Sequence, residues 1–282
     1  MNGILVINKP SGVTSHDVVA SVRRILGTRK VGHAGTLDPI ATGVLIVLVG
    51  KATKLSDRLL CERKRYIAKF RLGVKTDTYD ITGTVIEETG LSASRDEILR
   101  CIENFKGKIS QVPPMYSAIK MNGKKLYELA RAGVTVERKP RDVEIYDISL
   151  VGEDTLDISC SKGTYIRSLI YDMGEALGCG ATLTELSRIE SGNFTKNSAV
   201  TLEELSEKGF EACALTADEV IKAQSVMVFG EDERKIKNGN VINFEGVNGE
   251  CKVFSSVGEL LCTAMGDGRK IKPEIMLYEG EL

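Results

Sequence analysis

The chain has no tryptophan, only two histidines and six prolines, and no apolar run longer than the six residues Val44 to Val49. Six residues cannot cross a bilayer, and the start, with four apolar residues before Lys9 and Pro10, holds no signal-peptide core. The seven cysteines include no C-x-x-C pair and none lie closer than Cys251 and Cys262. Neither a disulfide framework nor a zinc knuckle is expected, and reduced thiols in a cytoplasmic protein are. With His16 and His33 as the sole imidazoles, a histidine metal site is not expected either. The run GVLIVLVGKAT mimics a phosphate-binding loop, but six residues rather than four separate its glycines and Lys51 is followed by Ala52, so a buried strand is the better reading. No metal, nucleotide or redox cofactor is implied.

What is present is an ordinary globular composition: 282 residues, 42% hydrophobic and 27% charged. The net charge of -1 conceals a segregation. Residues 1–71 carry thirteen Lys/Arg against four Asp/Glu, an excess of nine that the remaining residues reverse. A basic N-terminal quarter suits a polyanionic partner. Across the whole chain, residues 51–71 and 120–141 are dense basic stretches, although a charge run is also what a solvated face looks like.

Periodicity predicts a mixed α+β body. Ile4 to Ile7 reads as a buried strand, and Ser15 as the N-cap of a helix whose apolar positions Val18, Val19, Val22, Ile25 and Leu26 end at Gly27. A glycine-rich loop from Gly32 to Gly43 precedes the strand Val44 to Val49 and a helix from Thr53 to Leu60. Tyr66, Ala68, Phe70 and Leu72 alternate with charges, which gives a strand with one wet, basic face. A hairpin at Thr82-Gly83-Thr84, a helix from Ser94 to Phe105, strands at 143–150 and 156–160, and a helix from Ile166 to Leu177 follow. An acidic linker over 201–220 leads to a glycine-punctuated tail, so the division expected is 1–221, with an insert near 92–141, and a small β-barrel-like unit over 222–282.

Two carboxylate settings are candidates for chemistry. Asp77 and Asp80 in TDTYD could form an acid/base pair, or could be turn-forming residues of the hairpin. In VGHAGTLDPIATGVL, glycines at 32, 35 and 43 permit close backbone approach, and Pro39 stiffens the chain after Asp38. One carboxylate is thus offered from a rigid loop, or an Asp-Pro turn is simply a turn.

The run GHAGTLDPIATGVL, with INKPSGVTSHDVV before it and KRYIAKFRLGVKTDTYDITG and SKGTYIRSL after it, resembles the bacterial TruB type of tRNA pseudouridine-55 synthase along the whole chain and in order. The resemblance implies that Asp38 is the catalytic nucleophile, that Tyr66 stacks on the flipped uracil and could take the C5 proton, that Arg167 pairs with Asp38, and that Asp80 holds Arg167. It implies that His33 supports the rearranged T-loop, with Lys9, Lys54 and Leu186 at further RNA or active-site positions, and that the tail is a PUA unit. Arg63, Lys64 and Arg65 are expected to meet RNA phosphates. The implied partner is the tRNA T-stem-loop, met by a monomer with no obligate protein partner and no membrane. Whether Asp38 attacks base or sugar stays open. The complete set Asp38, Tyr66, Asp80 and Arg167 argues against an RNA-folding role with vestigial chemistry, and the short tail with the inserts near Ser92 to Arg141 against a guide-RNA-dependent one.

Overall fold

The computed structural model describes residues 1–60, 63–117, 119–121, 123–278 and 280. Cys61 and Glu62, within the basic stretch, and Ala118 and Asn122, within the insert, lie outside the described residues.

β1 (Gly3–Lys9) and α1 (Ser15–Leu26) open the chain. Thr14, not Ser15, is the N-cap: its hydroxyl accepts from the Asp17 amide while the Asp17 carboxylate reaches back. Ser15 is buried instead, exchanging hydrogen bonds with Leu37 (amide to Oγ 2.9 Å, Oγ to carbonyl 3.2 Å). The glycine-rich stretch contains a short strand, β2 (Val31–Ala34), before β3 (Thr42–Val49). β3 is apolar at every position from Val44 to Val49 because both of its faces are covered. Leu45, Val47 and Val49 pack with Val18, Val19 and Val22 of α1; Val44, Ile46 and Leu48 pack with Leu55, Ile221 and Leu277. The helix expected from Thr53 is a 3-10 segment at Gly50–Leu55, and turns replace its second half.

β4 (Arg63–Leu72) is followed by the hairpin β5 (Val74–Thr76) and β6 (Val85–Glu88), then α2 (Arg95–Glu103) capped by Ser94. Next come β7 (Gly107–Gln111), the small pair β8 (Lys120–Met121) and β9 (Lys124–Lys125), and α3 (Leu126–Arg131). β10 (Arg141–Leu150), β11 (Thr155–Ser161), α4 (Ile166–Ala176), β12 (Ala181–Ser191) and β13 (Phe194–Thr195) complete the main sheet, whose order is β1-β3-β12-β4-β11-β10-β7 with β2 on β3 and β13 on β12. β12 meets β3 in parallel and β4 in antiparallel register, so the sheet is mixed. The free side of β1 is bridged by the acidic segment, with Ile4 and Leu215 exchanging amide bonds of 2.8 Å and Val200 bonding Val6 and Asn8. That segment therefore blunts a sheet edge.

Past α5 (Leu202–Lys208), α6 (Phe210–Cys213) and α7 (Ala217–Val220), a second sheet runs β14-β16-β17-β18-β15. Its strands are β14 (Gln224–Met227), β15 (Ile242–Asn243), β16 (Asn248–Phe254), β17 (Leu260–Asp267) and β18 (Lys270–Met276), with α8 (Gly230–Lys237) between the first two. It has its own apolar core around Val253, Leu261 and Ile271. No described helix is long and apolar enough to cross a membrane.

Candidate active site

Asp38 sits in the loop between β2 and β3, and that loop is fastened on two sides. From below, the Gly12 amide donates to the Pro39 carbonyl (2.9 Å), Ser11 Oγ to that of Ile40 (3.0 Å), and Ser15 holds Leu37. Lys9 is fully buried and its Nζ donates to the carbonyls of Pro10 (2.8 Å), Val13 (2.7 Å) and Pro39 (3.2 Å). The NKPSGVTS run thus acts as the footing of the Asp38 loop. From the side, Arg188 of β12, 1% exposed, donates to the carbonyls of Val44 (2.7 Å), Gly35 (2.8 Å) and Thr36 (3.4 Å). Gly43 lets this close: its φ is +96°, and a Cβ there would lie 2.2 Å from the Arg188 carbonyl oxygen.

Arg167 lies in the first turn of α4, an unfavourable end for a cation. Five acceptor atoms compensate. Nε meets Asp38 Oδ2 and Nη2 meets Oδ1, both at 2.9 Å, a two-pronged pair. Nη2 also donates to the Tyr116 carbonyl (2.8 Å) and Nη1 to that of Thr78 (3.0 Å), with Asp80 Oδ2 at 3.6 Å. The Arg167 side chain is 4% exposed and that of Asp38 32%, so the guanidinium is sealed while the carboxylate opens to solvent. The remaining oxygen of Asp80 accepts from Thr82 N (3.0 Å), Thr82 Oγ1 (2.5 Å) and Thr78 Oγ1 (3.0 Å). The turn residue and the charged partner are therefore one residue. Asp77, the other half of the pair considered from sequence, caps Thr84 (2.8 Å) and is a turn residue only.

Tyr66 is buried on β4, directly opposite Arg188 in the β4/β12 register. Burial pushes its phenol above the ordinary value, and the Arg188 guanidinium opposes this. Leu186 is buried two residues before Arg188 on the same side of β12. His33 on β2 packs edge-on to His16 (5.3 Å between centroids), and its pKa is lowered chiefly by burial.

Lys9, Lys54 and Arg63 to Arg65, the expected RNA-contacting basic residues, have the following protein partners. Lys9 is a buried loop clamp, its ammonium lowered to about 8 by burial against the pull of Asp38. Arg63 and Arg65 share one face of β4 and Lys64 the other, because consecutive strand residues face opposite ways. Lys64 shares the Tyr66 side, whereas Arg65 points away and is held by Asp157 (2.8 and 2.7 Å) and Glu190 (3.1 Å). Arg63 Nε donates to Ser159 Oγ (2.9 Å). Lys54 Nζ donates to the Met276 carbonyl (3.0 Å), tying the second sheet to the first.

Arg188 was not among the expected residues, although it had a signal: a charge in phase with the apolar Leu186 on an alternating strand. The carbonyls of Thr78 and Tyr116 had none, since backbone groups leave no mark on composition. Among the described residues no cluster of His, Cys, Asp and Glu could hold a metal ion.

A family model described as TruB family pseudouridylate synthase (N terminal domain) matches residues 23–166, and one described as tRNA pseudouridylate synthase B C-terminal domain matches residues 167–224. A tRNA pseudouridine synthase B of Clostridium perfringens (strain 13 / Type A) is 43% identical, covering 99% of this chain and 100% of that one. That of Alkaliphilus oremlandii (strain OhILAs) is 47% identical over 86% and 83%. Among solved structures, one of a Cbf5-Nop10-Gar1 complex is 27% identical with a TM-score of 0.70, covering 97% of this chain and 83% of that one.

Proposed function

The chain belongs to the TruB family of pseudouridylate synthases and is a tRNA pseudouridine synthase; from that premise we propose that it isomerises the T-loop uridine at position 55 using Asp38, oriented by Arg167, as the nucleophile. The observation that carries this is the two-pronged Asp38–Arg167 pair with one partner sealed and the other open. Isomerisation breaks the C–N glycosidic bond, turns the uracil and forms a C–C bond, after which the C5 proton leaves and N1 gains one. Nothing is oxidised or reduced. A carboxylate fixed in one orientation can attack either base or sugar and hold the intermediate while water is kept out.

The uridine must leave its stack to reach the loop. Tyr66 then offers a ring face, Leu186 an apolar wall, and His33 a support for the opened T-loop. Arg188 ties the Asp38 loop to the Tyr66 strand, so nucleophile and ring keep one spacing. Asp80 holds Arg167. Residues 1–221 carry the chemistry, and the second sheet, as a PUA unit over 222–282, meets phosphates farther along the tRNA. The exposed Lys120, Lys124 and Arg131 of the insert supply further positive charge. The enzyme acts in the cytoplasm as a monomer without guide RNA; its higher identity to chains named tRNA pseudouridine synthase B than to a chain solved in a Cbf5-Nop10-Gar1 complex supports this.

The test is to incubate the pure chain with an unmodified tRNA transcript and map pseudouridine. Modification confined to the T-loop uridine is expected. Modification at another site, or only when a guide RNA is supplied, overturns the reading.

A further inference from the structure

Tyr79 has φ +65°, the one positive value among the described non-glycine residues. A bulky side chain pays strain for this conformation and keeps it only where its surroundings impose it. Here the surroundings are specific. The Tyr79 ring stacks on Tyr171, with centroids 4.0 Å apart and planes 25° from parallel. Tyr171 stands four residues after Arg167 on α4, so the two share one face of the helix. Tyr79 in turn lies between Thr78, whose carbonyl accepts from Arg167, and Asp80, whose carboxylate faces the same Nη1. One helix therefore carries both the guanidinium and the ring that grips the turn supplying its acceptors.

We propose that the Tyr79–Tyr171 stack is a positioning device for the reaction: it holds the turn at 76–83 in the conformation that brings the Thr78 carbonyl and Asp80 to Arg167, and through Arg167 sets the aim of Asp38. The turn has other fastenings. Thr76 Oγ1 donates to the Asp80 carbonyl (2.7 Å), the Tyr79 amide to the Thr76 carbonyl (3.2 Å), and Leu183 bridges on either side of Asp80. These fix the backbone on the sheet side. On the other side the stack joins the Arg167 contacts in coupling the turn to α4. The hydrogen bonds to the Asp38 carboxylate come from Arg167, and the two tyrosines act through it as positioning residues and not catalytic ones. The π face matters, and the Tyr171 hydroxyl does not.

The inference rests on the proposed roles of Asp38 and Arg167, and the test separates the two. The full chain is assayed by tritium release from 5-tritiated uridine in tRNA, with Asp38→Asn as a control. Tyr171→Ala is expected to lower kcat about three- to tenfold, the range an aromatic pair contributes, with KM nearly unchanged. Tyr171→Phe should keep the parent kcat. In a Tyr79→Gly background, where the left-handed conformation needs no support, Tyr171→Ala should cost less than about twofold. Should alanine prevent folding by circular dichroism, Tyr171→Leu fills the volume without a π face and is read in the same way. Parent-level kcat in Tyr171→Ala, a Tyr171→Phe as impaired as alanine, or equal losses in both backgrounds overturns the proposal. An active Asp38→Asn overturns the underlying reading instead.

Discussion

Replacing Arg167 by lysine keeps the charge and removes the fork. In the structure the guanidinium spends Nε and Nη2 on the two oxygens of Asp38 at 2.9 Å each, and its other donors on the Thr78 and Tyr116 carbonyls. An ammonium can meet one carboxylate oxygen but cannot fix the plane of the carboxylate. The catalytic loss is then about one charge-assisted hydrogen bond, roughly 1.5–3 kcal/mol, or about 10- to 150-fold in kcat. Stability falls as well, because one of the two part-buried carbonyls loses its partner, which costs at most about 1–3 kcal/mol. The two effects separate experimentally: single-turnover tritium release at saturating tRNA measures the first, and urea unfolding followed by circular dichroism the second. A lysine variant with parent-level turnover, or one whose stability drops while turnover holds, would refute the orienting role.

Two further outcomes follow from basic residues that the structure pairs with groups of the protein itself. Burial holds the Lys9 ammonium near 8, below its ordinary 10.5; the unfolded chain then binds the proton more readily within that window, and the Lys9 contribution to stability rises as pH increases through it. Lys9→Met should lose that rise, seen by urea melts at about pH 7 and about pH 10, and a parent-like pH dependence would contradict the assignment. Arg65 is already neutralised by Asp157 and Glu190 and faces away from Tyr66, so Arg65→Ala should leave the log-log salt slope of tRNA binding unchanged, whereas Lys120→Ala with Lys124→Ala should flatten it by about two. The reverse pattern would place RNA on the other face of the sheet.

Much of the site was legible because its loops carry their geometry in residue type. Glycine at 35 and 43 and proline at 39 mark a loop that must turn sharply and approach another strand, and the structure puts Arg188 against Gly43. What was not legible depends on register. The direction of Arg65 follows from period-two alternation once Tyr66 is known to face inward. β2 lay hidden in a glycine-rich stretch because a four-residue strand is stabilised by its pairing with β3 and not by its own sequence. The 3-10 segment after β3 likewise answers to packing against Leu277 and its neighbours, which no local window contains. Tyr79 is the extreme case, since its residue type argues against the conformation it adopts.

The central claim is that the Asp38 carboxylate is the reacting group. Asp38→Asn preserves the shape of the loop while removing charge and nucleophilicity. Tritium release from 5-tritiated uridine in unmodified tRNA, measured beside tRNA affinity, tests this directly: no detectable turnover is expected with affinity within about tenfold of the parent, roughly 1.4 kcal/mol. Substantial turnover by a folded Asp38→Asn protein would contradict the account.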